Sequence, residues 1–285
     1  MRQVLVLAAM VNALATIPGS AQEGNLDGMT TLVRQGGISA VTNVSGSPEN
    51  GYTARVTVFE GARKVSSSEH GDIFSPIGLP EVRFAEMDKA NDTPEVFIAQ
   101  WTGGAHCCVA VTVHDKAAGG WTALDGGAFD GDPEALYPQD VDGDGLAEIV
   151  TYDNAFLYRF AAYAMSYAPP KVLAIRNGHL EDVTAEPAYA PLLRRRLDDM
   201  GELPENGEAR NSWLAAYAAT LVRLGEAGPL EFAGSAYDPG PDWGMTRCKD
   251  PARENDCPAG LVERVDFPTA LRQFLTEQGY LEESR

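Results

Sequence analysis

From about residue 38 to residue 184, apolar and polar positions alternate in short runs separated by turn residues. Successive side chains of a strand point to opposite faces, so this alternation predicts strands with one buried face. The runs 52–59, 95–101 and 107–113 carry it clearly, and 121–124 and 148–152 read as shorter strands. Residues 171–175 and 179–183 flank Asn177-Gly178, a pair suited to the positive φ angles of a two-residue hairpin turn. Strand follows strand without an intervening helical pattern. That order favours an antiparallel sheet, sandwich or propeller-like unit over a parallel α/β sheet.

Beyond Pro187 the apolar period lengthens to that of helices. Residues 192–200 predict a short helix, and 209–224 a second with Trp213, Tyr217, Leu221 and Leu224 on one face and Gly225 as its stop. Residues 228–241 read as loop. A third helix is predicted over 267–278, with Asp266 as N-cap, Pro268 in the first turn, Gly279 past the end, and Leu271, Phe274 and Leu275 buried. The expected fold class is α+β: a β-rich region over 22–184 and a mainly helical region over 185–285. The pattern leaves open whether the two regions share one core.

Residues 1–21 are expected to lie outside the fold. Met1-Arg2 is followed by an apolar run from Val4 to Leu14 broken only by Asn12, and small Gly19 and Ala21 suit cleavage before Gln22. This is the pattern of a secretory signal peptide. About 11 apolar residues are too few for a membrane span, which needs roughly 20. No later segment is long and apolar enough to span. The expected address is periplasmic or secreted, where disulfides are permissible.

The 285 residues are 44% hydrophobic, which excludes wholesale disorder, and carry 22 Lys+Arg against 41 Asp+Glu for a net charge of −19. Removing residues 1–21 takes away one Arg and no acid, leaving −20. Binding to nucleic acid or anionic lipid needs clustered Lys and Arg, so neither is an expected partner.

Some of that negative charge is concentrated. Asp140-Val-Asp142-Gly-Asp144-Gly145-Leu146-Ala-Glu148 places carboxylates at positions 1, 3, 5 and 9 of a short loop. Alternate side chains of a tight loop converge, and Gly143 and Gly145 permit the turn. Hard oxygen ligands select Ca²⁺ before Mg²⁺, with the Leu146 carbonyl as a further expected ligand. An EF-hand would require a bidentate Glu at position 12, where Thr151 stands, and a strand follows in place of a helix. The loop resembles the DxDxDGxxD/E-plus-strand calcium loop of FG-GAP and VCBS repeats, the units of integrin-type β-propellers. That resemblance implies a calcium-organised β unit. A degraded copy of the same acidic turn and strand runs from Glu86 through Asp88, Asp92 and Glu95 to Ile98. Lys89 replaces a ligand-region residue there and one extra residue intervenes, so this copy is not expected to hold metal. The succession of Thr102-Gly-Gly-Ala-His106-Cys107-Cys108, the acidic loop and Phe156-Leu-Tyr158 resembles a family of exported bacterial proteins without assigned activity.

Four cysteines allow three pairings. Cys248 and Cys257 enclose eight residues, a span suited to a local bridge, which leaves Cys107 with Cys108. The alternative joins each of the vicinal pair to one distal cysteine. His106-Cys107-Cys108 is also the candidate for a soft-metal or redox site, although it lacks CxxC spacing. His70, His114 and His179 stand isolated in the sequence. Phe156, Tyr158, Phe160, Tyr163 and Tyr167 form an aromatic cluster, read either as core or as a platform for sugar or peptide.

No GxSxG, HExxH or phosphate-cradling glycine loop occurs in the chain. The reading is an exported, calcium-stabilised binding or interaction module, with an envelope protein or glycan as the candidate partner. Two alternatives are an envelope hydrolase using carboxylates and a redox or metal protein centred on His106-Cys107-Cys108.

Overall fold

The computed structural model describes residues 25–104, 107–250 and 256–282. The signal segment 1–21 and His106 lie outside the described residues. The described residues divide into two compact units: one of those up to 140 together with 144–149 and 174–181, the other of 141–143, 150–173 and those from 182 onward.

The first unit carries two antiparallel four-stranded sheets, each a simple meander. The first joins β1 (Thr30–Gln35), β2 (Ile38–Ser47), β3 (Gly51–Glu60) and β4 (Arg63–Ile73) in that order. The second joins β5 (Glu81–Ala85), β6 (Glu95–Trp101), β7 (Val109–Ala117) and β8 (Gly120–Phe129). Ile38, Ala40, Val56 and Val58 of the first sheet form one buried cluster with Val96 and Ile98 of the second. The inward halves of the alternating pattern thus meet as in a sandwich.

A three-stranded sheet follows, ordered β11 (His179–Asp182), β10 (Pro170–Arg176), β9 (Ile149–Tyr152). Asn177 and Gly178 take φ of 53° and 75° between β10 and β11, as the hairpin reading requires. The helical region holds α1 (Ala190–Asp199), α2 (Gly207–Arg223), α3 (Pro229–Ala236) and α4 (Phe267–Glu277). A small ladder pairs β12 (Thr246–Cys248) with β13 (Val262–Arg264). The architecture is α+β, as the pattern predicted.

Several local expectations need correction. Strand β7 begins at Val109, so Cys107 and Cys108 lie in the preceding turn, where alternation across the pleat does not apply. The predicted loop 228–241 contains α3, with Pro229 in its first turn and Phe232 resting 5.7 Å from the Tyr217 ring. Helix α2 buries Trp213 of the predicted face but leaves Tyr217, Leu221 and Leu224 half-buried. Its buried residues include Leu214, Ala215, Ala216, Ala218 and Ala219 around Trp213, because small side chains let neighbours approach on several sides. Helix α4 buries Leu271, Phe274 and Leu275 as expected, with Phe267 and Ala270 added.

Candidate functional site

The nine residues Asp140–Glu148 form a closed turn leading into β9. Gly143 and Gly145 adopt φ of 85° and 93°, the left-handed region that a side chain would strain. The Gly145 amide donates to Asp140 Oδ2 at 3.1 Å, and the Leu146 amide donates to Asp144 Oδ1 at 2.8 Å. Gln139 and Glu148 exchange backbone hydrogen bonds of 2.9 Å, which fixes the end of the turn. Carboxylate oxygens of Asp140, Asp142 and Glu148 lie within 4.8 Å of one another. Glu148 is 2% exposed, while both aspartates face solvent. Asp144 falls outside this trio, its side chain serving the Leu146 amide. The arrangement offers an ion one buried and two exposed carboxylates, all hard oxygen donors.

The upstream acidic turn lies alongside: the Ala147 amide donates to the Glu86 carbonyl at 2.7 Å. Its chemistry differs. Glu95 Oε2 accepts from the amides of Met87 and Asp88 at 2.6 and 3.1 Å, and Asp88 Oδ1 accepts from Ala90 at 3.0 Å. The carboxylates that match ligand positions by sequence here hold the turn's own backbone.

The structure pairs Cys107 with Cys108 and Cys248 with Cys257, the latter with Cα atoms 5.7 Å apart. The turn before β7 is closed by Thr102, whose amide donates to the Cys108 carbonyl at 2.9 Å and whose Oγ1 accepts from the Cys108 amide at 3.2 Å. A side chain at Gly104 would collide with the Cys107 carbonyl, so the turn needs glycine there. With both thiols consumed in a bridge, neither is a free thiolate ligand for a soft metal.

Two of the sequence-isolated histidines meet in the interior. His114 is fully buried, with Nδ1 2.7 Å from Ser66 Oγ and Nε2 3.0 Å from Ser68 Oγ. His70 Nε2 lies 2.8 Å from the same Ser68 hydroxyl. Burial lowers both imidazoles, His114 to about 4, with His70 as a second cause. Residues 66, 68 and 70 alternate along β4 and pair with Val58, Val56 and Ala54, so they share the inward face. The Ser-x-Ser-x-His spacing was the available signal; the partner on β7 required the fold.

The aromatic cluster separates. Phe156 and Phe160 are 1% exposed and pack edge-on to Phe274 at 4.8 and 5.5 Å. Tyr158 is 52% exposed with a φ of 60°, near Tyr163 at 5.5 Å, and its carbonyl accepts from the Trp243 indole at 2.7 Å. Trp243 lies 85 residues downstream, beyond what sequence proximity could reveal. The helical unit also has an open groove of about 790 Å³, lined by Leu230, Glu231, Arg247, Thr269, Arg272 and Gln273. It presents one carboxylate, not the facing pair a glycoside hydrolase uses.

These features define an α+β protein with two local disulfides and an acidic turn at the entry to a strand. Over 277 residues, 94% of this chain and 79% of the relative, it is 34% identical to the probable thylakoid lumen protein sll0997 of Synechocystis sp.. Residues 193–279 match the model of the sll0997 C-terminal domain. The chain belongs to the sll0997 family. It is also 34% identical over 205 residues to the uncharacterized protein y4bJ of Sinorhizobium fredii, covering 70% of this chain and 32% of that longer protein. No solved structure matches the chain.

Proposed function

We propose that the protein is an exported binding or interaction module whose acidic turn holds a structural Ca²⁺ ion. The carrying observation is the buried Glu148 carboxylate within 4.8 Å of oxygens from Asp140 and Asp142. A buried carboxylate beside two others is unfavourable unless a proton or a cation offsets the charge. Asp140, Asp142 and Glu148 would supply the inner ligands, and Asp144 and the Leu146 carbonyl would join them on binding. The likeness of this turn to the FG-GAP and VCBS loop supports the same assignment. Export is supported by the pattern of residues 1–21 and by the relative described as a probable thylakoid lumen protein, since that lumen too is reached across a membrane.

Extracellular calcium modules bind with Kd on the order of 10⁻⁴–10⁻³ M. A ligand at 100 times its Kd stabilises the folded state by about 2.7 kcal/mol, or about 5–10 °C in melting temperature for a chain of this size. Melting in excess Ca²⁺ and in chelator should differ by that amount, and Asp142→Ala should melt alike in both. An equal melting temperature for the unmutated protein in the two conditions would overturn the calcium assignment.

For the ligand of the module, Tyr158, Tyr163 and Trp243 favour a contact surface for glycan or envelope protein. Exposed aromatic faces held on a constrained backbone suit either. Trp243→Ala should weaken retention on a glycan array or an envelope extract without changing the calcium response.

A further inference from the structure

Three carboxyls of the β-rich unit are buried apart from the Asp140, Asp142 and Glu148 trio: Asp88 at 4% exposure, Glu95 at 0% and Asp115 at 0%. The β6–β7 register pairs Val96 with His114, so Glu95 stands across from Asp115 on the face opposite the histidine. Two amides hold Glu95 Oε2, and the Asn91 side-chain amide reaches Oε1 at 3.5 Å. Asp115 is served differently. Neither of its side-chain oxygens meets a well-formed N–H or hydroxyl donor; the Lys116 amide and the Glu95 carboxyl are the polar groups that face it.

The surroundings supply negative charge. Asp88 acts on Asp115 from the turn, and Asp92 acts on Glu86 within the same turn. Lys116, the adjacent basic residue, gives its ammonium to Glu60 at 2.6 Å. On the flanking strands Ala85 pairs with Glu95 and Thr122 pairs with Asp115, and neither is charged. Arg83 is committed to Tyr137, which packs on Phe97. Burial is the leading cause that raises both acids, and Asp115 contributes to carrying Glu95 up to about 7.

We propose that Glu95 and Asp115 hold one proton between them at neutral pH and act as a pH-sensitive latch of the β-rich unit. Two bare carboxylates in contact in a dry site repel, whereas one proton turns the contact into a charge-assisted hydrogen bond. Loss of that proton is relieved by letting water into the turn that precedes β6, because the amides anchoring Glu95 belong to Met87 and Asp88 of that turn. The latch does not depend on the calcium assignment.

The test is chemical denaturation from pH 4.5 to 8.5 in chelator, comparing the unmutated protein with Glu95→Gln. Glutamine keeps the shape and the donor but cannot ionise. The two buried histidines titrate in both proteins and cancel in the ratio. The ratio of unfolding constants, unmutated over variant, should rise by up to about tenfold per pH unit between roughly pH 4.5 and 7, then level off. A flat ratio would overturn the latch. If the variant fails to fold, the Glu95 side-chain carboxyl carbon can be followed by NMR in the unmutated protein, where it should titrate near neutrality. Titration in the ordinary glutamate range would overturn the proposal. In Asp115→Asn that titration should move to lower pH, and an unmoved one would show that no proton is shared. A stoichiometric metal ion retained in Asp142→Ala and lost in Asp115→Asn would also overturn it, with a cation in the proton's place.

Discussion

Among the described residues, the buried carboxyl and imidazole groups, Asp88, Glu95, Asp115, Glu148, His70 and His114, all belong to the β-rich unit. The helical unit buries Phe156, Phe160, Trp213, Phe267, Leu271 and Phe274, and the polar groups within α2 that it buries, Asn211, Ser212 and Thr220, are neutral. The same chain therefore builds one interior that should respond to protons and ions and one that should not. Apolar packing depends on volume and contact, whereas a buried ionisable group depends on its partners and on pH. A ligand- or condition-dependent change in stability is accordingly expected from the first unit.

The largest expected effect tests the helical interior. Phe274 is 3% exposed and meets Phe156 and Phe160 edge-on, with the Arg159 guanidinium 5.2 Å from its ring centre. Phe274→Ala removes those contacts and leaves a cavity, a loss of about 3–5 kcal/mol. Denaturant titrations at pH 5 and pH 8 should give the same loss. A pH-dependent loss would break the contrast between the units.

Next in size is the buried histidine of the other unit. His114 is lowered to about 4 by burial, from an ordinary value of 6.5. Its neutral form is favoured by folding, so its contribution is present in full above pH 6.5. It is lost as pH falls towards 4, by on the order of 3 kcal/mol. His114→Gln keeps a donor and an acceptor for Ser66 and Ser68 but cannot take up a proton in this range. Its stability should fall less steeply than the unmutated protein's between pH 6.5 and 4. Equal slopes would show that the ring is not held neutral by its surroundings.

How far the sequence foretold these features follows from the span of each interaction. The acidic turn was legible because its carboxylates lie within nine residues, and helix α4 because its cap, stripe and stop are local. Strand β4 was not. Its Ser66, Ser67, Ser68, Glu69 and His70 look like solvent-facing chain until His114 on β7 supplies the inward partner. Glu95 and Asp115 were visible as residues, but their meeting depends on strand register, which no local pattern specifies. Helix α3 was obscured by Pro229 and Gly234, and it is held by packing against α2 more than by its own propensity.

The smallest expected effect probes the boundary of the contrast, through an acid of the helical unit that lies outside its interior. Asp266 precedes α4 and its Oδ1 accepts from the Thr269 amide at 2.9 Å. The side-chain contact with Thr269, followed by that amide, holds its carboxyl below the usual aspartate value. A lowered carboxyl stabilises the fold above its unfolded value near 3.9, and the contribution disappears as pH falls through the lower folded value. Asp266→Ala should cost about 1 kcal/mol at neutral pH, the usual worth of an N-cap. Asp266→Asn should keep most of the cap and lose only the acid response. Melting curves of the three proteins at pH 7 and pH 3 separate these contributions: at pH 7 alanine should be the least stable, and at pH 3 the margin of the unmutated protein over asparagine should be smaller than at pH 7. A loss in Asp266→Ala as large as that in Phe274→Ala would mean that α4 is held by its end and not by its buried face. The apolar interior would then no longer account for the stability of this unit.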